Sequence, residues 1–508
     1  MSSENTRRIA KNTAMLYIRM LLIMAVTLYT SRIVLDVLGV EDFGIYNVVG
    51  GIVVMFSFLN GAMSQSTQRF LAFEIGRGDF QRLQQVFSVS VSIHIGIALF
   101  IFLLAETLGL WFLNTRMNIP APRMEAARWI YQFAVFSFMV NVIQVPYNAA
   151  IIARERMHVY AYISIVEVAL KLFIVFALTW VSFDKLKLYA ILVFGVNVVV
   201  AFIYRIYCKL RLRECDYRFF RDWALYKTLT GFAGWSLFGS IAWLFKAQGL
   251  NIILNVFFGP ILNAAYGIAS QVNTAVNSFV QNFSTAVNPQ LVKSYAARDL
   301  EYTVNLLFRG ARFSNYLFLF FAVPLLIETD TILKIWLKTV PDYAVIFTRL
   351  VIVNSLFESF TYTMGAAIQA TGKIKWYQII VGCTILLNLP LAYLFLRLGY
   401  TPPVVLVISI IISVVTLFQR LALLRHFYRF PFFSFVAQVF LKSGLITIVS
   451  CMIPLGLKLY MAEGWVKLVC VIGTSLLTVL LLVFLLGLDR QEKNYFLNVL
   501  KQRFIGRK

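Results

Sequence analysis

The sequence predicts an all-α integral membrane protein of about 14 transmembrane helices. It predicts two six-helix bundles related by a pseudo-two-fold along the membrane normal, plus two C-terminal helices. Three observations carry this. Of 508 residues, 60% are hydrophobic and only 14% are charged, where a soluble chain carries about 25% charge. Continuous runs rich in Leu, Ile, Val and Phe recur from end to end, each long enough to cross about 30 Å of hydrocarbon. Segments of the first half recur in the second at a nearly constant offset, which marks an internal duplication. A membrane barrel would need alternating strands of about ten residues, and the runs do not alternate.

The spans fall near 12–38, 43–66, 84–113, 127–153, 158–181, 187–209, 228–257, 261–287, 305–327, 344–370, 375–397, 402–426, 436–460 and 465–487. The bundles are 1–220 and 221–430, and 431–508 holds the last two helices and a basic tail. Met1–Asn12 is polar and the apolar run after it is too long for a signal core, so the first helix is expected to be retained. An even number of spans puts both termini on one side. With that side inside, 30 of the 46 Lys and Arg residues fall in inner segments and 10 in outer loops. That bias sets both termini in the cytoplasm. It also explains the net charge of +23 without nucleic acid as a partner. In the tail, Phe496, Leu497, Leu500 and Phe504 lie at helical spacing beside Lys501 and Arg503. That pattern suits either a helix lying on anionic membrane lipid or an ordinary solvated tail.

The first 50 residues organise the rest. Lys11 to Gly51 reads as an apolar helix, a turn at Leu38-Gly39-Val40-Glu41-Asp42-Phe43-Gly44-Ile45-Tyr46, and the start of a second helix. Gly39 and Tyr46 recur as Gly259 and Tyr266, at an offset of 220. Arg77-Gly78-Asp79 returns as Ala297-Arg298-Asp299 at the same offset, and Ala149-Ala150-Ile151 as Ala366-Ala367-Ile368 at 217. Six spans separate the equivalents, so both halves keep one orientation and form parallel repeats.

Chemistry-bearing motifs are sparse. There is no phosphate-cradling Gly-rich loop with Lys and Ser/Thr, no nucleophile elbow and no paired carboxylates on a soluble domain. His94, His158 and His426 are isolated, so no metal site is expected. Cys208 and Cys215 border a basic inner loop, where a disulfide is not expected.

The informative residues are charges inside spans. An arginine or lysine at the bilayer centre costs roughly 2.5–3.5 kcal/mol, so such groups should face protein or water. Arg19 lies eight residues past Lys11, a rise of about 12 Å. Neither Arg19 nor Lys246 has an acid three or four residues away. They sit on spans made equivalent by the duplication, which predicts a basic, water-filled cavity between the halves that takes an anion. Arg32, Lys171 and Arg349 are further candidate cations of that cavity. Glu167 stands four residues before Lys171 and can pair with it along one helix face. Arg32 and Arg349 are near span ends and can snorkel. Glu358, deep in its span, is a pairing acid for a cavity cation or a site for a coupling H+ or Na+. Pro146 and Pro390 permit kinks.

Ser31-Arg32-Ile33-Val34-Leu35, the 38–46 turn, Gln68-Arg69-Phe70-Leu71 and Gly76-Arg77-Gly78-Asp79 resemble bacterial polysaccharide and O-antigen flippases of the Wzx type. Those flippases belong to the multidrug/oligosaccharidyl-lipid/polysaccharide exporter superfamily, with the MATE multidrug exporters and the lipid II flippase. The resemblance is carried by residues 1–90 and implies a MATE-like fold in the bacterial inner membrane. It implies movement of an undecaprenyl-diphosphate-linked oligosaccharide from the cytoplasmic to the periplasmic leaflet, with a polysaccharide polymerase and chain-length machinery as partners. The diphosphate would meet the cations. The sugars would meet Asn141, Gln144, Asn148, Gln248, Gln271, Asn273 and Asn277. A cation-coupled drug exporter would favour an acidic cavity. A membrane enzyme acting on the same lipid would need a catalytic acid cluster or a larger extramembrane domain.

Overall fold

A computed structural model of the chain describes residues 3–54, 57–115, 119–180, 183–258, 260–337, 340–428 and 430–494. The tail helix expected at 496–504 and the Arg32 side chain lie outside the described set. Among the described residues every regular element is helical. The α-helices are α1 (Ser3–Val54), α2 (Ser57–Arg77), α3 (Phe80–Leu104), α4 (Leu110–Thr115), α5 (Met124–Ala153), α6 (Met157–Trp180) and α7 (Lys185–Arg211). Then follow α8 (Trp223–Phe258), α9 (Pro260–Ala296), α10 (Leu300–Ile327), α11 (Thr329–Trp336), α12 (Ala344–Ser359) and α13 (Thr361–Ala370). The last are α14 (Lys375–Leu386), α15 (Asn388–Arg397), α16 (Val404–Tyr428), α17 (Phe432–Phe435), α18 (Lys442–Tyr460) and α19 (Trp465–Leu482).

Twelve helices among the described residues are long and apolar enough to cross a membrane. The chain is a multi-pass membrane protein. The two expected spans outside that set, 43–66 and 261–287, fall on the end of α1 with α2 and on α9. On α9, Gln271, Asn273, Asn277 and Gln281 lower the hydropathy, whereas 43–66 runs over residues outside the described set; α2 carries Gln65, Ser66 and Gln68. These are corresponding helices of the duplication, so both halves have one amide-rich member.

Two boundaries differ from expectation. Helical bonding continues through Leu38–Tyr46, so α1 runs unbroken from Ser3 to Val54 where a turn was expected. Gly39 and Gly44 each cost a helix only about 1 kcal/mol, while Leu38, Ile45 and Val49 of this stretch are buried in one apolar cluster with Ile101 and Ile130. The expected span 375–397 breaks at Leu387, three residues before Pro390. Proline gives no N–H there and its ring crowds the carbonyl four residues back. Pro146, in contrast, is buried inside a continuous α5.

The chain divides into two compact units. The first holds 1–241 with 285–299 and 369–378. Its core packs Val34, Leu38, Ile101, Ile130, Tyr131 and Val175. Just past α3 the helix widens at Ala105–Gly109, where Tyr131 donates to the Ala105 carbonyl at 2.8 Å. Gln132 donates to Glu106 at 3.2 Å, so this acid is held within the unit.

Glu155, in the α5–α6 turn, is almost fully buried. It accepts from Arg8 at 2.8 Å, Gln290 at 2.7 Å and Lys293 at 2.5 Å. Arg69 donates to the carbonyls of Gln369 and Ala370 at 3.0 and 2.7 Å and lies over Phe70 and Phe73. Beside the Glu155 clasp, α2 and α9 meet at Gly76. A Cβ on Gly76 would lie 2.5 Å from the Lys293 carbonyl oxygen and 2.9 Å from the Ala296 Cβ.

The second unit holds 242–284, 300–368 and 379–508. Leu250, Leu254, Phe347, Ala392 and Val405 form one cluster. Tyr316, Val323, Ile446 and Val471 form another, which fastens α18 and α19 to α10. Arg312 adds a two-pronged bond to Asp489 at 3.1 Å and contacts Glu492 at 2.7 Å. The Arg312 guanidinium holds the Asp489 carboxyl below the usual carboxylate range.

Local backbone geometry repeats with the sequence. Gly78 and Arg298, 220 apart, have φ of 75° and 61°. Glu155 and Gly372, 217 apart, have φ of 59° and 76°. Left-handed residues are uncommon outside glycine, so their coincidence at the offsets of the sequence repeat supports the duplication.

Candidate functional site

Each unit encloses its own polar cavity. In the first unit the cavity is about 760 Å³. Asn141, Gln144 and Asn148 line it from α5, and their spacing of three and four puts them on one helix face. Asn197 of α7, Lys171 of α6, Ser64 of α2 and Tyr46 of α1 complete the polar wall. The Tyr46 ring meets Tyr189 edge-on at 4.8 Å. Gln144 is buried; its amide N–H reaches Asn148 at 3.5 Å, and its Oε1 has no partner among the described residues.

The second unit's cavity is smaller, about 310 Å³. Lys246, Gln248 and Asn251 of α8 face Asn354 and Glu358 of α12, with Asn273 of α9 and Ser409 of α16. Lys246 contacts the Glu358 carboxylate at 3.2 Å. Ser413 donates to Asn354 at 2.7 Å and lies 3.3 Å from the same carboxylate oxygen. α2, α5 and α7 line the first cavity and their repeat equivalents α9, α12 and α16 line the second, whereas Lys171 and Lys246 enter from the non-equivalent α6 and α8.

The expected cavity cations divide three ways. Lys171 and Lys246 line cavities and both are paired, Lys171 to Glu167 at 2.6 Å along α6. Arg19 is not on the wall of the first cavity. It is drawn to α6, where it donates to Ser164 at 2.7 Å and Tyr160 at 3.2 Å and lies 4.3 Å over the Tyr160 ring. No carboxylate pairs with Arg19 among the described residues. Arg349 is half-buried, with Nε buried and unpartnered among the described residues. Arg19 finds its partners in the first unit and Lys246 in the second.

The Lys246–Glu358 pair joins residues 112 apart, which no local spacing announces. The Glu155 clasp was missed for the same reason. No local spacing joins Glu155 to Arg8, Gln290 and Lys293.

Comparisons agree with the geometry. A model of the MatE family matches residues 248–394. A solved outward-facing multidrug resistance MATE transporter of the MOP superfamily superposes with a TM-score of 0.70 at 14% identity, covering 84% of this chain and 96% of that one. The fold is that of the MATE transporters. A second MATE-fold structure, from Pyrococcus furiosus, has a TM-score of 0.68 at 14% identity and covers 84% of this chain and 96% of that one. It is described as a MOP superfamily transporter whose binding pocket of reverse polarity suggests a different function. In sequence, this chain is 21% identical over 326 residues to the uncharacterized membrane protein EpsK of Bacillus subtilis (strain 168). That match spans 62% of this chain and 63% of EpsK. The MATE-fold neighbours are transporters, not enzymes.

Proposed function

We propose that this chain is a flippase that moves an undecaprenyl-diphosphate-linked oligosaccharide from the cytoplasmic to the periplasmic leaflet by alternating access, in surface-polysaccharide biosynthesis. The carrying observation is Arg19. It lies inside a span, and among the described residues hydroxyls and an aromatic ring meet it and no carboxylate neutralises it. Placing an arginine at such a depth costs roughly 2.5–3.5 kcal/mol. A diphosphate offsets that cost, and a guanidinium fits its oxygens two at a time. Lys171 and Lys246 already have carboxylate partners and take a secondary part.

In this reading the protein sits in the bacterial inner membrane with both termini cytoplasmic. A polymerase and chain-length machinery act on its product. Glu358, beside Lys246 in the second cavity, is the candidate for coupling to H+ or Na+. The same carboxylate favours the alternative, a cation-coupled multidrug exporter, but it is matched by Lys246 rather than free for a drug cation.

The test is deletion. Removing the protein should abolish the surface glycan while lipid-linked repeat units accumulate on the inner leaflet. Unchanged glycan together with increased sensitivity to cationic drugs would support the exporter instead.

A further inference from the structure

We propose that the first unit's cavity is the glycan subsite: a neutral, carboxamide-lined pocket that takes the sugars next to the diphosphate. The inference rests on the flippase reading and assigns the two chemical parts of its substrate to two places. The walls offer Asn141, Gln144, Asn148 and Asn197, side chains that both donate and accept hydrogen bonds as sugar hydroxyls do. The cavity's lysine does not make it an anion site, because Lys171 is held by Glu167 at 2.6 Å on its own helix. Gln144 is more than nine-tenths buried and leaves Oε1 without a partner among the described residues. A buried acceptor left unmade is costly, and a hydroxyl entering this cavity would satisfy it. The cavity's volume of about 760 Å³ lies within the range of about 300–1,000 Å³ typical of small-molecule sites.

The placement of the cavity relative to Arg19 completes the argument. Arg19 docks on α6 at Ser164, and Lys171 enters the cavity wall from α6 seven residues later. Ser164, Glu167 and Lys171 are spaced three and four, so they share one face of that helix. Seven residues rise about 10 Å. One helix face therefore runs from a guanidinium with no carboxylate partner among the described residues to an amide-lined pocket, as a diphosphate joined directly to a sugar requires.

The experiment compares two probes on the purified chain in nanodiscs. One is the lipid-linked oligosaccharide extracted from cells lacking the protein, and the other is undecaprenyl diphosphate alone. The wild type should bind the glycan-bearing lipid more tightly. Gln144→Leu, and independently Asn197→Leu on another helix, should each shrink that preference by roughly tenfold. Both should leave the affinity for undecaprenyl diphosphate unchanged, which also shows that the variants are folded. Arg19→Ala should weaken both probes by the same factor. A full glycan preference in both leucine variants would overturn the subsite and leave the flippase reading standing. No binding of either probe by the wild type would overturn both. Binding of tetraphenylphosphonium that competes with the glycan lipid and is lost in Gln144→Leu would make the cavity a cation site and overturn the assignment.

Discussion

The two cavities neutralise the same charge in different ways. In the first unit, Lys171 is paired by Glu167 four residues away on one helix, and 45% and 32% of the two side chains are exposed. In the second, Lys246 reaches from α8 to Glu358 on α12, with 13% and 29% exposed, and Ser413 of α16 adds a contact. The first pair closes within its own helix. The second is a strut between helices that a conformational change must respect or break. The local pair leaves its cavity neutral and free to accept a polar ligand. The cross-helix pair links its cavity to the packing of the whole unit, which is where a coupling ion would act.

The comparison can be broken at its strong end first. Glu358→Ala leaves a largely buried ammonium without its carboxylate, and should destabilise the second unit by about 3 kcal/mol. The thermal midpoint and the membrane level should both fall. Lys246→Met combined with Glu358→Met should recover most of that loss, since a matched apolar pair removes both desolvation penalties. A single variant as stable as the wild type would show that the strut carries no load.

An intermediate effect is expected where corresponding helices of the duplication meet. Gly76 packs against Lys293 and Ala296 so closely that any side chain displaces backbone. Gly76→Leu should cost about 1–3 kcal/mol and alter labelling of cysteines placed at Glu155 and Gln369. A variant with unchanged stability and labelling would mean that α2 and α9 separate freely at this point.

The smallest effect belongs to the local pair. Lys171→Met should change stability by less than about 0.5 kcal/mol, as exposed pairs four residues apart on a helix do. A loss as large as that of Glu358→Ala would erase the distinction between the cavities.

Much of the architecture was legible in the sequence because bilayer thickness fixes span length whatever the packing. The Glu167–Lys171 pair was legible because four residues on a helix is a contact. The duplication was legible from residue offsets, and left-handed backbones now fall at the same offsets. The Lys246–Glu358 strut and the Arg19–Ser164 bond were not readable as pairs, because residues 112 and 145 apart are joined only by tertiary packing. Nor was the passage of α1 through Gly39 and Gly44, where burial of Leu38 and Ile45 outweighs two glycine penalties.

The most direct measurement concerns Arg19. Export of the lipid-linked glycan and membrane abundance should be followed together in Arg19→Ala and Arg19→Lys. Near-complete loss of export is expected in the alanine variant at normal abundance, with partial recovery in the lysine variant, whose point charge cannot reproduce two-pronged phosphate contacts. Normal export in Arg19→Ala, or a loss of export that follows loss of protein from the membrane, would contradict this expectation.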